Sequence, residues 1–214
     1  MKEDIKIIKE IFGRHCKRFG DSPQALGWEN EYTQKMRFMV LSEIAPLEGM
    51  RILDVGCGKG DLFGFFKECG IPVEYIGVDL TLELVKLARS LYPDAQILSR
   101  DFLQDEYYPE IDYALASGVA NVLTLNNQEY MEAIIKKMFS LARMGAAVNM
   151  ISTYLPDDKK DTGIYCYSPE TMFKFALKLT PRVILRHDYL PNDFTLYLYK
   201  VWTLINNRRE RRES

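Results

Sequence analysis

Ile52-Leu53-Asp54-Val55-Gly56-Cys57-Gly58-Lys59-Gly60-Asp61 is the stretch from which the organisation of this chain follows. Its apolar head, Arg51 to Val55, is too short for a helix and reads as a buried strand. Glycines at 56, 58 and 60 then permit a tight turn with positive φ and let the backbone approach a neighbour closely. From Asp61 to Cys69 the spacing is helical and stops at Gly70. Strand, glycine turn and helix in direct succession are the first half of a strand–helix–strand unit.

Read outward from this unit, the pattern repeats. Glu74 to Val78 is a second strand ending at Asp79, and Leu82 to Leu91 is a helix stopped by Pro93. Ala95 to Leu98 and Ile111 to Ala116 are strands, the latter leading into Ser117-Gly118. A helix over Gln128 to Ala142 precedes a fifth strand, Ala146 to Ile151. Such alternation predicts a doubly wound α/β fold, a mostly parallel sheet with helices on both faces. After a helix from Pro169 to about Leu179, two β-rich runs, Arg182 to Tyr189 and Phe194 to Trp202, flank Pro191-Asn192-Asp193. So short a turn holds no crossover helix, so these last strands of the seven are antiparallel. Upstream, amphipathic helices are expected over residues 4–18 and from Glu31 to Ile44. Residues 1–48 are read as a helical lid over the site, 49–205 as the sheet domain and 206–214 as a basic tail.

Of the 214 residues, 47% are hydrophobic and 27% charged, the composition of a globular core. A formal charge of -2 gives no general attraction for polyanions, although the first twenty residues hold six Lys/Arg against three acids and the tail carries Arg208-Arg209-Glu210-Arg211-Arg212. Cys16, Cys57, Cys69 and Cys166 form no Cys-x-x-Cys pair, and His15 and His187 are the two histidines, so a metal site is not expected. The N-terminus lacks an uninterrupted apolar core and no stretch approaches the ~20 apolar residues of a bilayer span. A cytoplasmic protein with reduced thiols, without membrane attachment, is the expectation.

In a doubly wound sheet, ligands bind at the carboxyl ends of the strands. Here those ends carry the glycine turn and Asp79, an acid placed to accept the hydroxyls of a ribose. Charge narrows the nucleoside. A pyrophosphate wants a helix N-terminus free of acids, whereas Asp54 precedes and Asp61 follows these glycines, which favours a cation. The Gly-Lys-Ser/Thr ending of a triphosphate loop is also missing, since Lys59 leads into Gly60-Asp61. A sulfonium nucleoside, S-adenosylmethionine, fits these constraints best, and a dinucleotide oxidoreductase is disfavoured by the same two acids.

The quoted run resembles the first motif of the Rossmann-like (class I) S-adenosylmethionine-dependent methyltransferases. Gly77-Val78-Asp79-Leu80 resembles their ribose-binding motif, Arg100-Asp101-Phe102 the adenine-binding one, and Asp112 to Gly118 the fourth-strand motif beside the methyl group. The likeness extends over about residues 30 to 202. It implies that Gly56, Cys57 and Gly58 lie along the methionine moiety and that Asp54 orders the turn or meets the ammonium. It further implies that Asp79 and Leu80 hold ribose, that Asp101 and Phe102 hold adenine, and that Ser117 lies by the methyl. Gln34 and Arg37 are placed to cover the cofactor carboxylate, for which Arg37 has the fork geometry. Trp28 is a candidate to close over the cofactor. The product is S-adenosylhomocysteine.

Methyl transfer from a sulfonium needs positioning above all, and a base only where the acceptor must lose a proton. His187, beside Asp188 and Tyr189, is the candidate base. Asn121, Asn149, Tyr154, Tyr165 and Tyr167, near the ends of strands four and five, are candidates for acceptor binding. After strand four the chain reads Ser117-Gly118-Val119-Ala120, neither the Asn/Asp-Pro-Pro-aromatic of planar-amine methylation nor the Pro-Cys of base-carbon methylation. Joined to the near-neutral charge, these absences favour a small molecule over nucleic acid. Methylation of its oxygen or nitrogen, by a monomer or homodimer, is the expectation. An RNA or protein acceptor, and a non-enzymatic cofactor-binding subunit, remain the alternatives.

Overall fold

The computed structural model describes residues 2–27, 30–155 and 163–200. Trp28 and the basic tail lie outside the described residues. The chain opens with helix α1 (Lys2–Phe19), a 3-10 turn over Pro23–Leu26 and helix α2 (Glu31–Ser42), capped by the Asn30 side chain, which accepts from Thr33 N. Then come β1 (Arg51–Val55), α3 (Asp61–Glu68), β2 (Glu74–Asp79), α4 (Leu82–Leu91), β3 (Gln96–Ser99), β4 (Ile111–Ser117), α5 (Asn127–Leu141) and β5 (Ala142–Ile151). Helix α6 (Pro169–Leu179), with Ser168 as its cap, leads to β6 (Val183–Arg186) and β7 (Asp193–Tyr199).

The strands form one seven-stranded sheet in the order β3-β2-β1-β4-β5-β7-β6. The first five are parallel; β7 runs antiparallel to both β5 and β6. This is the doubly wound sheet with a closing hairpin that the alternation predicts. Two boundaries differ from expectation. Strand β5 starts at Ala142, directly against the end of α5, so the apolar helix tail and strand head run together in the sequence. Strand β6 ends at Arg186, whose guanidinium leaves the ladder to meet Glu43 and Asp188.

Side chains alternate between two cores because successive residues of a strand face opposite ways. In β4, Ala114 and Ala116 join the face covered by Met131, Ile134, Ile135 and Met138 of α5 and Met172 of α6. Tyr113 and Leu115 join the opposite face, against Phe38 and Leu41 of α2, Phe66 of α3 and Val85 of α4. β1 is buried on both faces, as a central parallel strand must be. Its end, with those of β2 and β4, therefore projects the glycine turn, Asp79 and Ser117 to one edge of a rigid layer. Helix α1 packs across α4, with Lys17 Nζ 3.8 Å from Glu83, and overlies this edge.

Among the described residues, no helix is long and apolar enough to cross a membrane.

Candidate active site

Two cavities meet at the carboxyl edge of the sheet. The first is a cleft of about 90 Å³ whose walls include Gly56, Gly58, Asp79, Leu80, Phe102 and Ser117. The second, of about 1020 Å³, lies beyond Gly118 and Asn121. Phe12, Leu26 and Gly118 border both, so the two spaces adjoin at these three residues.

The glycine turn shapes the cleft. Gly56 and Gly58 have φ of +72° and +56°, and a Cβ on them would stand 2.4 Å from Val119 Cγ2 and 2.7 Å from Leu26 Cδ2. Only glycine satisfies both the dihedral and the space. Asp79 then locks the turn to β2: its Oδ2 accepts from Gly58 N at 2.9 Å and its Oδ1 from Thr81 N at 2.7 Å. Burial raises the Asp79 pKa, and these N–H groups partly offset it.

Asp54 serves the turn from beneath. It is 3% exposed, borders neither cavity and accepts the Tyr75 hydroxyl at 2.6 Å. Burial drives its pKa up to about 7, against the Tyr75 hydrogen bond and with repulsion from Asp79 and Asp61. Of the two roles expected for it, the arrangement is that of ordering the turn. Cys57 is likewise buried behind the cleft, with its Sγ against Gly77, and burial pushes its thiol up. Asp101 faces its own turn, with Oδ1 accepting from Leu103 N at 3.0 Å, while Arg100 and Phe102 form the wall.

The charge argument from Asp61 needs correction. Its Oδ1 lies 2.5 Å from Lys59 Nζ, which also meets Asp21 at 2.9 Å, and its Oδ2 accepts from Gln34 Nε2 at 2.7 Å. Asp61 is thus compensated, and Gln34 is a strut between α2 and α3 that borders neither cavity. The negative field at the turn comes from Asp54 and Asp79. Arg37 is also corrected: its Nε and Nη2 donate to the two carboxylate oxygens of Asp193, both at 2.7 Å, with both side chains buried. The fork expected to hold a cofactor carboxylate is closed on β7.

The acceptor-side candidates divide. Asn121 borders the large cavity, and its Oδ1 is buried without a hydrogen-bond partner. Ser117 Oγ, on the cleft, is in the same state. Asn149 is instead a core residue, donating to Thr195 Oγ1 at 2.8 Å. Tyr167 is fully buried; its hydroxyl donates to Ala120 O at 2.7 Å, and Asn127 Nδ2 donates to the same oxygen at 2.8 Å. Ala120 needs this clamp, for its φ of 58° is strained for a residue with a Cβ. Tyr165 packs edge-on against Tyr167, and its N–H donates to Asn121 O at 2.7 Å. Tyr154 is 61% exposed and bonds Glu170. His187 pairs through Nε2 with Ser152 Oγ at 2.8 Å, stacks on Phe194 and borders neither cavity.

The sequence reading missed the residues of α1. Ile8 and Phe12 wall the cleft, and Ile11, Arg14, His15 and Arg18 wall the large cavity. The signal was the width of the apolar stripe: isoleucines on two adjoining faces exceed what one packing surface needs. The helix is tied down by Asp4, which is fully buried. Its Oδ1 accepts from Leu125 N and Asn126 N at 2.9 and 3.1 Å, and its Oδ2 from Asn126 Nδ2 at 3.2 Å. Burial works against its charge, but its hydrogen bonds, these among them, outweigh it and hold Asp4 well below the usual carboxylate range.

Glycines that leave room along the backbone, a strand-end acid and an orphaned Ser117 hydroxyl line a cleft whose chemistry suits S-adenosylmethionine. Among the described residues no cluster of His, Cys, Asp or Glu is arranged to hold a metal.

Comparison with known proteins agrees. Residues 46–167 match the family model described as a methyltransferase domain. A protein of Mycobacterium tuberculosis that carries the name methyltransferase is 28% identical over 155 residues, covering 70% of this chain and 92% of that one. Trans-aconitate 2-methyltransferase of Afipia carboxidovorans is 32% identical over 75 residues, 35% of this chain and 29% of that protein. Magnesium protoporphyrin IX methyltransferase from Synechocystis, solved with bound S-adenosylhomocysteine, superposes with a TM-score of 0.66 at 16% identity, covering 92% of this chain and 100% of that one. A methyltransferase from Aquifex aeolicus gives 0.62 at 16% identity, with 88% and 98% covered. This chain belongs to the methyltransferase-domain family and is a class I S-adenosylmethionine-dependent methyltransferase.

Proposed function

We propose that the methyl acceptor is a small molecule, methylated on oxygen or nitrogen. The observation that carries this reading is the cavity of about 1020 Å³ that adjoins the cofactor cleft at Phe12, Leu26 and Gly118 and lies beneath α1. It is of the size that takes a whole metabolite. The names of one relative and one structural neighbour, acting on trans-aconitate and on magnesium protoporphyrin IX, support an acceptor of this size.

S-adenosylmethionine supplies a methyl carbon already activated by its sulfonium. The chain's own residues then orient the acceptor and keep water out. Gly118, between a strand end and the clamped Ala120, sets the floor where the two spaces meet; Phe12 and Leu26 close it from above. Asn121 Oδ1 is placed to accept a hydrogen bond from an acceptor hydroxyl or amine. His15, whose Nδ1 is buried and unpartnered beside this cavity, takes the proton-accepting role that sequence reading gave to His187. The α1 and 3-10 segment is read as the lid.

The test is transfer of labelled methyl from S-adenosylmethionine into a small-molecule cell extract, with RNA and protein fractions run in parallel. Label in the small-molecule fraction, reduced at least tenfold by His15→Gln and unchanged by His187→Gln, is the expected result. Label confined to RNA or protein would overturn the proposal.

A further inference from the structure

The acceptor cavity has a cationic end. Arg14 and Arg18, four residues apart on α1, line it from successive turns along one strip, with His15 beside them. Neither arginine forms an ion pair among the described residues. Arg14 Nε donates only to Glu10 O at 3.2 Å, and the Arg18 guanidinium lies 5.0 Å from the Phe19 ring centroid. Other cations nearby are matched: Lys17 with Glu83, Lys59 with Asp21 and Asp61, and Arg37, which also borders this cavity, with Asp193. No described residue lining the cavity is a carboxylate.

The remaining walls are mainly aliphatic, among them Ile11, Val122, Ile151, Ile164 and Leu190. Arg14 and Arg18 are exposed, and an unpaired guanidinium bordering such walls is a site for the carboxylate, sulfonate or phosphate group of a ligand whose apolar part lies against them. They also argue against a nucleic acid strand, whose bases need aromatic platforms; Phe12 and His15 are the only rings among the described lining residues. Position gives a distance. Phe12 marks the junction with the cofactor cleft, and Arg18 lies six residues further along the helix, about 9 Å at the rise of an α-helix.

We infer that the acceptor is an amphiphilic anion: an apolar body whose anionic group sits on Arg14 and Arg18, which lie about 3 and 9 Å along the helix from the Phe12 junction, with its methyl-accepting atom beside Gly118 and Asn121. This inference rests on the methyl-transfer reading of the site.

The experiment uses the full chain saturated with S-adenosylhomocysteine, so that the cleft is filled, and two fluorescent probes. Anilinonaphthalene sulfonate carries an anion; phenylnaphthylamine has the same aryl body without one. The wild type is expected to bind the sulfonate at least tenfold more tightly than the neutral probe. In the Arg14→Gln/Arg18→Gln double variant this preference should vanish, with neutral-probe and S-adenosylhomocysteine affinities unchanged. Arg14→Lys/Arg18→Lys, which keeps the charge, should retain most of it. Val122→Trp, which fills the cavity, should displace both probes. Equal binding of the two probes by the wild type, a sulfonate preference that survives the double variant, or sulfonate binding that survives Val122→Trp would overturn the inference. Wild type that binds no S-adenosylhomocysteine would instead sink the methyl-transfer reading beneath it.

Discussion

Asp54→Asn isolates the electrostatic strain of the glycine turn. In the folded chain burial lifts this carboxyl from 3.8 to about 7, despite the hydrogen bond from Tyr75 and with repulsion from Asp79 and Asp61 added. The unfolded chain releases the proton near 3.8 and the folded chain near 7, so between these values folding takes up a proton. Stability from this group is therefore highest below 3.8, falls as pH rises, and levels off above about 7. At about 1.4 kcal/mol per unit of pH, the interval of roughly three units amounts to about 4 kcal/mol. Asparagine has no proton to lose and still presents an oxygen to the Tyr75 hydroxyl. For a chain of this length about 1 kcal/mol moves the melting temperature by about 2–4 °C. Thermal unfolding followed by circular dichroism from about pH 4.5 to about pH 7.5 should therefore show the wild type losing on the order of 10 °C relative to the variant. Other carboxylates titrate in both proteins and cancel in the difference. Parallel curves would refute the raised pKa and the buried placement of Asp54. A second arm reads the cofactor: the cation should bind more tightly than its neutral product as pH rises through 7, in the wild type but not in Asp54→Asn.

Three further outcomes are expected. Gly56→Val puts a Cβ 2.4 Å from Val119 Cγ2 at a φ of +72°, so calorimetry should find no S-adenosylhomocysteine binding by a protein that stays folded; affinity within threefold of wild type would remove the turn from the site. Arg37→Ala strands a buried Asp193 and should destabilise the fold by about 3–5 kcal/mol in urea titrations, with cofactor affinity unchanged; the reverse pattern would return Arg37 to the cofactor carboxylate. Asp4→Ala removes the tie between α1 and the start of α5, and should speed amide hydrogen exchange across α1 while weakening S-adenosylhomocysteine binding several-fold. Because the Asp4 pKa is depressed, its contribution is present above the ordinary 3.8 and is lost as pH falls below it, so the tie should hold unchanged from pH 5 upward.

What could be read from the sequence was what depends on neighbours in sequence. Strand ends at Val55, Asp79 and Ser117, and glycines at 56 and 58, are local features with fixed consequences, and they placed the cleft. Partner choice was not local. Arg37 and Asp193 are 156 residues apart, and nothing near Arg37 announces that its fork will close on β7. Tyr167 looked like a cavity residue because it follows strand five, yet its hydroxyl is needed on a strained carbonyl at Ala120. His187 was the candidate base from its place beside Asp188 and Tyr189, but its Nε2 pairs with Ser152 Oγ. On the other side, Arg14 and Arg18 were only members of the basic cluster in the first twenty residues, and His15 one of two histidines, until the position of α1 over the sheet edge gave them a cavity to line.

Phe12 and Leu26 wall both the cofactor cleft and the acceptor cavity, so the two compartments have a partition in common. A substitution that shifts α1 or the 3-10 turn is therefore expected to change the binding of both ligands together, and its effect reads as a coupling between them rather than as a property of either compartment alone.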